Sequence, residues 1–508
     1  MAWSGAVDAA NPDAKDFLAV IDATKGSRSY GRVVNTATFG PQRQNEPHHM
    51  QYVWHKGQRI YAGGIFSDTV FVLDASRLPV LRITGVNLPA DTPCGSAPDA
   101  FAVLSDGTAY ASYMGGPNVP GPCTYSDGQV RVGNGYAGSP GEIVRIGKDG
   151  RTISEIATAL PYGEDPTKCH NYPALEKATC ANPHGIAVRE DLNRMVVTDY
   201  TEIKNNLNPP TPEIDPLWLR DTVRIFDITN RNRPKLKSVS RLPDGPRVDE
   251  PAFAEPRMVM EPAVTHQPRH RGAFASTMAG GAVYYTPDIT KPDPEWREVF
   301  DDSTAYRKFD TSGLLSGSNS GGSWLWVTPD DRFLVHTVMG ADWRLPRDAQ
   351  TGMVYVLDIQ KLLASGNNPK CKIDEIEEVT AGGHESDCPA LTGVMPVRDT
   401  VSTFAGVGPH WGAMDNFTRG RDGIYRENGG LSRIASANYF VSPLLDGDHR
   451  ICMYDFSASG EVSMDTSFRD EVNGAECLNF NRQKWPHGSV GEARPHGLLF
   501  VVSDSVLR

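Results

Sequence analysis

The sequence lacks the patterns that define several large classes of protein. In its 508 residues no apolar run approaches the roughly 20 residues of a membrane-spanning helix, and no long segment has helical periodicity. It has no cluster of lysine and arginine, and its formal net charge is −12 at pH 7. We therefore expect neither a membrane span nor a nucleic-acid partner, and a small-molecule substrate instead.

Short catalytic motifs are missing as well. The sequence contains no Gly-x-Ser-x-Gly nucleophile elbow, no Gly-x-x-x-x-Gly-Lys-Ser/Thr phosphate loop and no His-Glu-x-x-His helix. Its eight cysteines include no Cys-x-x-Cys pair, which argues against a zinc ribbon or a thioredoxin-type site. These absences leave repeated strands as the main source of information.

A short buried strand recurs along the chain. Each copy is a run of about five β-branched and aromatic residues bounded by turn formers. The 49 glycines and 38 prolines suit many such strands. Recurrence with loop insertions over several hundred residues predicts a β-propeller. The seven copies lie at 17–22, 70–74, 142–147, 223–227, 282–286, 353–358 and 451–455.

We predict an all-β chain that forms a single seven-bladed β-propeller domain over residues 1–508. The first repeated strand has no hairpin before it, and the last hairpin, at 485–504, has no such strand after it. Pairing of the N-terminal and C-terminal strands would close the ring and remove exposed sheet edges. Long insertions are expected at 113–140, 161–182, 203–220 and 287–320.

The cysteines fall into pairs of sequence neighbours in or beside glycine- and proline-rich connections. An even count with local pairing favours disulfides and an oxidising compartment, periplasmic or extracellular. Eight reduced cysteines in a cytosolic protein are the alternative. Residues 1–5 do not resemble a signal peptide. If the protein is exported, we expect its signal peptide to have been removed. The expected pairs are Cys94 with Cys123, Cys169 with Cys180, Cys371 with Cys388, and Cys452 with Cys477.

The first strand of a propeller blade lines the central channel, so side chains at its start point toward the axis. A Pro-His pair marks several of the predicted strand starts. Imidazole binds copper, zinc, iron and nickel, so histidines that converge on one axis predict a metal site. A purely structural ring of histidines is the alternative. The predicted metal ligands are His48, His49, His184, His410 and His487.

Two carboxylates occupy equivalent positions in other blades. Asp99 and Glu261 are the predicted catalytic residues, and they can also compensate the charge of a metal. The remaining histidines have weaker claims. His55 and His496 are placed in hairpin turns, where a solvated side chain is expected. His336 would approach the axis only if its blade used the second strand.

Segments between residues 16 and 74, which include the His48–His49 pair after a Tyr-Gly-x-Val strand, resemble the selenium-binding protein and methanethiol oxidase family. The resemblance is weaker at 258–262, 328–333 and 485–487. It implies a seven-bladed propeller with copper near its axis that oxidises small sulfur compounds. By position it carries over to His48, His49, Glu261 and His487. The segments that carry it best are 16–22, 30–35, 46–49, 59–63 and 70–74.

The chain departs from this family at the axis. Asp99 stands where the family has a histidine motif, whereas His184 and His410 stand where methanethiol oxidases lack histidine. A shifted ligand set suggests a different number of metal ions or a different substrate. Thiocyanate dehydrogenases, related propellers that are richer in axial histidines and hold a copper cluster, are the nearest alternative.

The sequence therefore favours a copper-dependent oxidoreductase that acts on a small sulfur compound, with Glu261 as a general base. A redox-inactive lyase or hydrolase that uses zinc, iron or calcium on the same axis is the first alternative, because one propeller fold hosts many chemistries. A binding module with structural histidines is the second.

Overall fold

The structure is a computed structural model in which β-sheets are arranged around an axis as in a propeller. Nearly all regular structure is β, as predicted. The described residues are 2–6, 15–39, 45–115, 123–126, 128–131, 141–169, 179–203, 216–248, 251–306, 321–340, 352–373, 387–397, 408–427, 431–438 and 448–508.

The strands are short and follow one another through tight turns. The first group is β1 (Ala2–Ala6), β2 (Phe17–Ile21), β3 (Val33–Thr38), β4 (Pro47–Met50), β5 (Ile60–Gly64), β6 (Thr69–Arg77), β7 (Val80–Asn87), β8 (Pro98–Val103), β9 (Ala109–Tyr113), β10 (Cys123–Thr124), β11 (Val130–Arg131), β12 (Glu142–Ile146) and β13 (Thr152–Ala157). The middle group is β14 (Pro183–Arg189), β15 (Arg194–Asp199), β16 (Thr222–Asp227), β17 (Lys235–Arg241), β18 (Val259–Val264), β19 (Ala273–Thr277), β20 (Ala282–Thr286), β21 (Arg297–Asp301), β22 (Gly322–Val327), β23 (Phe333–Val338), β24 (Gly352–Asp358) and β25 (Ala390–Val397). The last group is β26 (Trp411–Met414), β27 (Phe417–Arg419), β28 (Tyr425–Glu427), β29 (Arg433–Ala437), β30 (Arg450–Phe456), β31 (Val462–Met464), β32 (Leu478–Asn479), β33 (Lys484–Trp485), β34 (Gly488–Ser489) and β35 (Ala493–Leu498).

Six sheets have four antiparallel strands each. From the axis outwards their orders are β35-β1-β2-β3, β4-β5-β6-β7, β8-β9-β12-β13, β14-β15-β16-β17, β18-β19-β20-β21 and β22-β23-β24-β25. Each inner strand contacts the next one around the axis, in the closed order β35, β4, β8, β14, β18, β22, β26 and back to β35. The repeated segments of the sequence are confirmed as strands, and each is the third strand of its sheet.

The prediction of a seven-bladed propeller needs a correction, because the described part of the chain forms six regular four-stranded blades. In the remaining sheet, β26-β29-β30, two short strands share the outer edge of β30. Residues 454–456 pair with β31, whereas residues 450–451 pair with β32. The outer strand is therefore split, and this sheet has five strands.

Pairing of the chain ends closes the ring, as predicted. Strand β1 lies between β2 and β35 and pairs with both in antiparallel fashion. The inner strand of this blade thus comes from the C-terminal part of the chain, and its other three strands come from the N-terminal part. No edge is left between the first and last blades where these strands meet.

Burial on both faces explains the composition of the third strands. Residues 223–226 in β16, 282–286 in β20 and 353–357 in β24 are buried without interruption. Neighbouring blades cover both faces of each sheet, so the outward-facing polar residues of a half-exposed strand are not needed. At roughly 25 cal/mol per Å² of buried apolar surface, burial of these strands stabilises the fold.

Three of the four expected disulfides are present, namely Cys169–Cys180, Cys371–Cys388 and Cys452–Cys477. Cys94 is also disulfide-bonded. The side chain of its expected partner, Cys123, lies outside the described residues. The last bridge joins β30 to the residue before β32, which fixes one of the two segments on that outer edge.

Helices are few and short in the described part of the chain. They are α1 (Asp302–Tyr306), α2 (Gln360–Ser365) and four 3₁₀ turns at Glu190–Leu192, Pro216–Trp218, Pro251–Phe253 and Asp504–Val506. Within the described part of the chain, no helix is long and apolar enough to cross a membrane. Much of each expected insertion lies outside the described residues. The described part of 113–140 forms the β10–β11 hairpin, and that of 287–320 contains β21 and α1.

The ring closure can be tested at Gly5, which pairs with Arg494 of β35. Gly5→Pro removes a backbone N–H from a strand that is paired on both sides. We expect the free energy of unfolding to fall by roughly 1–3 kcal/mol, and new sheet edges to promote association. Thermal unfolding and size-exclusion chromatography measure the two effects. Gly5→Ser, which keeps the N–H, is the matched control, and equal behaviour of the two variants would contradict this role of β1.

Candidate metal centre

Five of the inner strands share an irregular start. In β4, β8, β14, β18 and β22 the pairing register with the second strand shifts between the first and fourth residues. Such a β-bulge breaks the normal alternation of side chains and re-aims those inside it. The bulges contain the predicted site residues of these strands, which are His48, His49, Asp99, His184 and Glu261.

A first group of side chains meets around Asp99. One ligand atom each from His48, His49, Asp99 and His184 lies within 4.8 Å of the others. Asp99 Oδ1 is 3.0 Å from His48 Nε2 and 3.3 Å from His49 Nδ1. His184 Nδ1 is 3.3 Å from Asp99 Oδ2 and 3.3 Å from Glu261 Oε1. Two carboxylates therefore lie among three imidazoles.

A second group shares His49 with the first. Ligand atoms of His49, His410 and His496 also lie within 4.8 Å of one another. The ring centroid of His496 is 4.6 Å from that of His410 and 5.0 Å from that of His49. Every member of the two groups is buried. The seven residues of the axial cluster are His48, His49, Asp99, His184, Glu261, His410 and His496.

The glycine in each Pro-His-Gly sequence of β14 and β35 lets the next inner strand approach. A Cβ atom on Gly185 would lie 2.5 Å from Glu261 Oε2 and 2.3 Å from Pro262 Cδ. A Cβ atom on Gly497 would lie 2.8 Å from the His48 carbonyl oxygen. Both contacts are too short for a side chain. In each Pro-His-Gly sequence the histidine thus faces the axis, and the glycine leaves room for the neighbouring inner strand.

The structure does not place His487 in the axial cluster. His487 lies in the turn of the β33–β34 hairpin, where its Nδ1 is 2.8 Å from Thr36 Oγ1 and its ring packs on Phe17. The axial position of the closing blade belongs to His496 in β35, which was expected to be solvated and is buried. The signal was available, because Pro495-His496-Gly497 repeats the pattern of Pro-His-Gly in β14. The identical tripeptide at 486–488 concealed it.

Other histidines lie away from the axis. His336 on β23 is buried, but its Nε2 faces Asp302 Oδ2 at 3.1 Å. His55 is exposed and pairs with Glu427. Among the described residues, neither belongs to a group that would hold a metal ion.

Tyr52 holds one oxygen of Glu261. The Tyr52 hydroxyl donates a hydrogen bond to Glu261 Oε2, and the carboxylate's other oxygen faces His184. The Tyr52 ring is in turn held between the rings of Trp326 and Trp411. Sequence reasoning missed Tyr52, because a tyrosine four residues after Pro-His carries no recognised motif.

Burial makes most of the imidazoles poor bases. It lowers the pKa of His48 and lowers that of His49 to about 3, although the nearby Asp99 opposes both shifts. Burial and the neighbouring His49 hold the pKa of His410 well below its usual value. His184 differs: burial lowers its pKa, but Asp99 and Glu261 together raise it above the ordinary value. Neutral imidazole is the form that binds a metal.

The surroundings shift the pKa values of the two carboxylates in opposite directions. Burial alone would raise the pKa of Asp99, but His184, His49 and His48 hold it well below its usual value. Burial raises the pKa of Glu261, and His184 offsets this only in part. Asp99 is thus the permanent anion of the cluster. Glu261 is the better proton acceptor, which suits a general base.

The donor set fits a metal ion. His48 Nδ1 and His49 Nε2 are buried and make no hydrogen bond within the described structure. Leaving such polar atoms unsatisfied costs free energy that metal coordination would offset. Five imidazoles suit copper, zinc, iron or nickel, and a carboxylate supplies negative charge. The geometry by itself does not choose between these metals.

Different side chains cover the two ends of the cluster. Tyr200 packs on the His184 ring at 4.5 Å and donates a hydrogen bond to Met278 Sδ at 2.9 Å. It belongs to an apolar cluster that contains five methionines, Met114, Met258, Met260, Met278 and Met339. On the other side, Trp411 packs on the His49 ring at 4.1 Å.

The stability of the metal-free protein should depend on pH. A histidine whose pKa is lowered by folding takes up its proton only on unfolding, so stability falls as the pH drops below 6.5 and continues to fall towards about 3. We expect His49→Gln to flatten the decline of the thermal midpoint across this window. His55→Gln, at an exposed position, is the control, and parallel profiles of wild type and His49→Gln would contradict the assignment.

No protein-family model and no curated protein matches this sequence. Among solved structures, a hypothetical selenium-binding protein from Sulfolobus tokodaii aligns over 97% of this chain and 92% of its own, with a TM-score of 0.59 and 13% sequence identity. The periplasmic gluconolactonase of Pseudomonas aeruginosa aligns over 89% of this chain and 96% of its own, with a TM-score of 0.44 and 13% identity. At 13% identity the similarity to the Sulfolobus tokodaii protein shows the fold alone.

Proposed function

We propose that this protein is a copper-dependent oxidoreductase that acts on a small sulfur compound, by methanethiol oxidase-like or thiocyanate dehydrogenase-like chemistry. The observation that carries the proposal is the convergence of five buried histidines and two buried carboxylates on one axis. So many titratable groups without an ion would impose a large desolvation cost. An ion that they coordinate removes that cost.

The axial cluster offers more ligands than one ion uses. Zinc and similar ions take about four protein ligands, and the cluster presents six side chains in two groups that share His49, with Glu261 beside them. We therefore infer about two ions per chain, one near His48, Asp99 and His184 and one near His410 and His496. Copper would supply one-electron redox chemistry, and imidazole is among its preferred ligands.

The protein's own residues would provide proton transfer and exclusion of water. Glu261 is the proposed general base, because its pKa is raised by burial and its Oε1 faces the ligand group. The Tyr52 hydroxyl fixes Glu261 Oε2 and thereby orients the base. Asp99 stays ionised and balances the positive charge of a metal. Tyr200 and the methionine-containing cluster exclude water from the His184 side.

A sulfur compound suits this environment. Thioether and aromatic side chains are soft and polarisable, and they make favourable contacts with sulfur. The five methionines next to Tyr200 line that side of the axial cluster with such groups. We infer that a small thiol or thiocyanate approaches the centre from this side.

We further propose that residues 1–508 form one domain, in which the five-stranded sheet is the seventh blade. The closed contact order of the inner strands supports this count. The disulfides support a periplasmic or secreted location, because such bridges persist in oxidising compartments.

A redox-inactive lyase or hydrolase on the same axis is the second candidate. Asp99 and Glu261 favour it, because carboxylate oxygens are also ligands of zinc and are the preferred ligands of calcium. The identity of the bound metal separates the two proposals.

Metal analysis is the first test. We expect protein produced with copper to contain about two copper ions per chain. Replacing His410 and His496 by alanine together should remove about one of them, whereas His487→Ala should remove none. His487 is a matched control, since it has the same Pro-His-Gly context but lies outside the cluster. Stoichiometric zinc, iron or calcium in place of copper would overturn the oxidoreductase proposal.

The role of Glu261 is tested by Glu261→Gln. Removing a general base is expected to lower the rate of thiol or thiocyanate oxidation by roughly 10²–10⁴-fold. Glu298→Gln is the control, because Glu298 is also buried, burial raises its pKa well above the ordinary value, and it lies outside the axial cluster. Steady-state kinetics on copper-loaded protein provide the measurement. Equal rates for Glu261→Gln and Glu298→Gln would refute the assignment.

A further inference from the structure

A continuous stack of aromatic rings leads away from the axial cluster. The Trp411 ring centroid is 4.1 Å from that of His49 and 5.1 Å from that of Tyr52. The Tyr52 centroid is 4.9 Å from that of Trp326, and these two planes differ by only 15°. We call Trp411, Tyr52 and Trp326 the aromatic stack. Every step in it is a contact between neighbouring π-systems.

The stack joins a buried end to a more exposed one. Trp411 and Tyr52 are buried, whereas Trp326 keeps part of its surface exposed. The rings come from different parts of the propeller, because Trp411 is in β26, Trp326 is in β22 and Tyr52 follows β4. Their alignment therefore depends on the closed ring. No local sequence pattern produces it.

These side chains have the chemistry of an electron relay. Tryptophan and tyrosine are the protein side chains that lose one electron most readily. A tyrosine that loses an electron also loses its phenolic proton. The Tyr52 hydroxyl already donates a hydrogen bond to Glu261 Oε2, so this proton has an acceptor.

The relay would connect the buried axial cluster to an external redox partner. The histidines of the axial cluster are buried, so an external redox partner cannot contact them directly. His49 belongs to both ligand groups and packs on Trp411. The stack thus begins at a residue placed to hold metal and ends at a partly exposed indole.

We propose that the aromatic stack carries single electrons from the axial centre to a one-electron acceptor at the surface around Trp326. The proposal rests on the proposed function for its redox-active metal. In each transfer the reduced centre loses one electron and the acceptor gains one. Each ring of the stack is oxidised and then reduced again. The Tyr52 proton moves to Glu261 when Tyr52 is oxidised and returns when Tyr52 is reduced.

Metal-free protein provides a test that does not depend on enzyme activity. A photo-excited ruthenium polypyridyl complex with a sacrificial quencher oxidises exposed aromatic side chains by one electron. We expect the oxidation to migrate from Trp326 to Tyr52, where the tyrosyl radical is detected by electron paramagnetic resonance. The radical on Tyr52 is defined as the part of the signal that Tyr52→Phe removes. Tyr162→Phe removes a tyrosine that is 95% exposed and shows how much of the signal comes from an exposed tyrosine outside the stack.

Variants of the stack decide the outcome. Trp326→Phe keeps an aromatic ring but resists oxidation, so the Tyr52 radical should fall to the background level. Trp296→Phe removes a buried tryptophan outside the stack and should leave the radical unchanged. A full Tyr52 radical in Trp326→Phe, or none in the wild type, would overturn the relay. If the stack only filled the channel, Trp326→Phe would lower the thermal stability but leave the yield of the Tyr52 radical unchanged.

Copper-loaded protein gives the second arm. After reduction of the centre, its reoxidation by ferricyanide is followed by stopped-flow absorbance. We expect Trp326→Phe to slow this reoxidation severalfold at unchanged copper content, and Trp296→Phe to leave it unchanged. Equal rates for Trp326→Phe and wild type would overturn the relay while leaving a copper centre intact. Failure to bind copper would instead overturn the proposed function, and the metal-free arm would still decide the relay.

Discussion

Seven ionisable side chains are confined on one buried axis, and the strands around them are shaped to hold them there. Each of them would be better hydrated outside, and burial opposes the charged form of every one. Their mutual contacts solve the problem only in part, as the opposite pKa shifts of Asp99 and Glu261 show. The β-bulges at the strand starts help to bring these side chains together. A regular strand would alternate its side chains between two faces and disperse the cluster.

The axis has three zones of different chemistry. Thioether and apolar side chains cover one side, imidazoles and carboxylates occupy the centre, and indole and phenol rings fill the other side. Tyr200 and Trp411 mark the two boundaries, because each packs directly on a histidine of the cluster. Under the proposed function, the substrate and the redox partner would approach the centre from different sides.

Much of this arrangement could be predicted from the sequence, and the failures have physical causes. The third strands were recognisable because both faces are buried, which leaves a continuous apolar run. His48, His49, His184 and His410 were found through proline at the strand start. His487 and His496 were confused because both follow proline and precede glycine. Only three-dimensional packing separates them: Gly497 admits β4, whereas a Cβ on Gly488 meets nothing closer than 3.7 Å. The split outer edge of the five-stranded sheet was equally hidden, because β31 and β32 are too short to show a pattern.

The position of His496 means that the axial cluster is completed only when the propeller ring closes. His496 lies on β35, the strand that completes the blade begun by β1, β2 and β3. Its imidazole therefore reaches His49 and His410 only after the propeller has closed. A partly folded chain would present an incomplete ligand set and hold metal weakly. Metal binding would then favour the closed ring by mass action. Tight metal binding would therefore indicate both that the ring has closed and that the ligand set is complete.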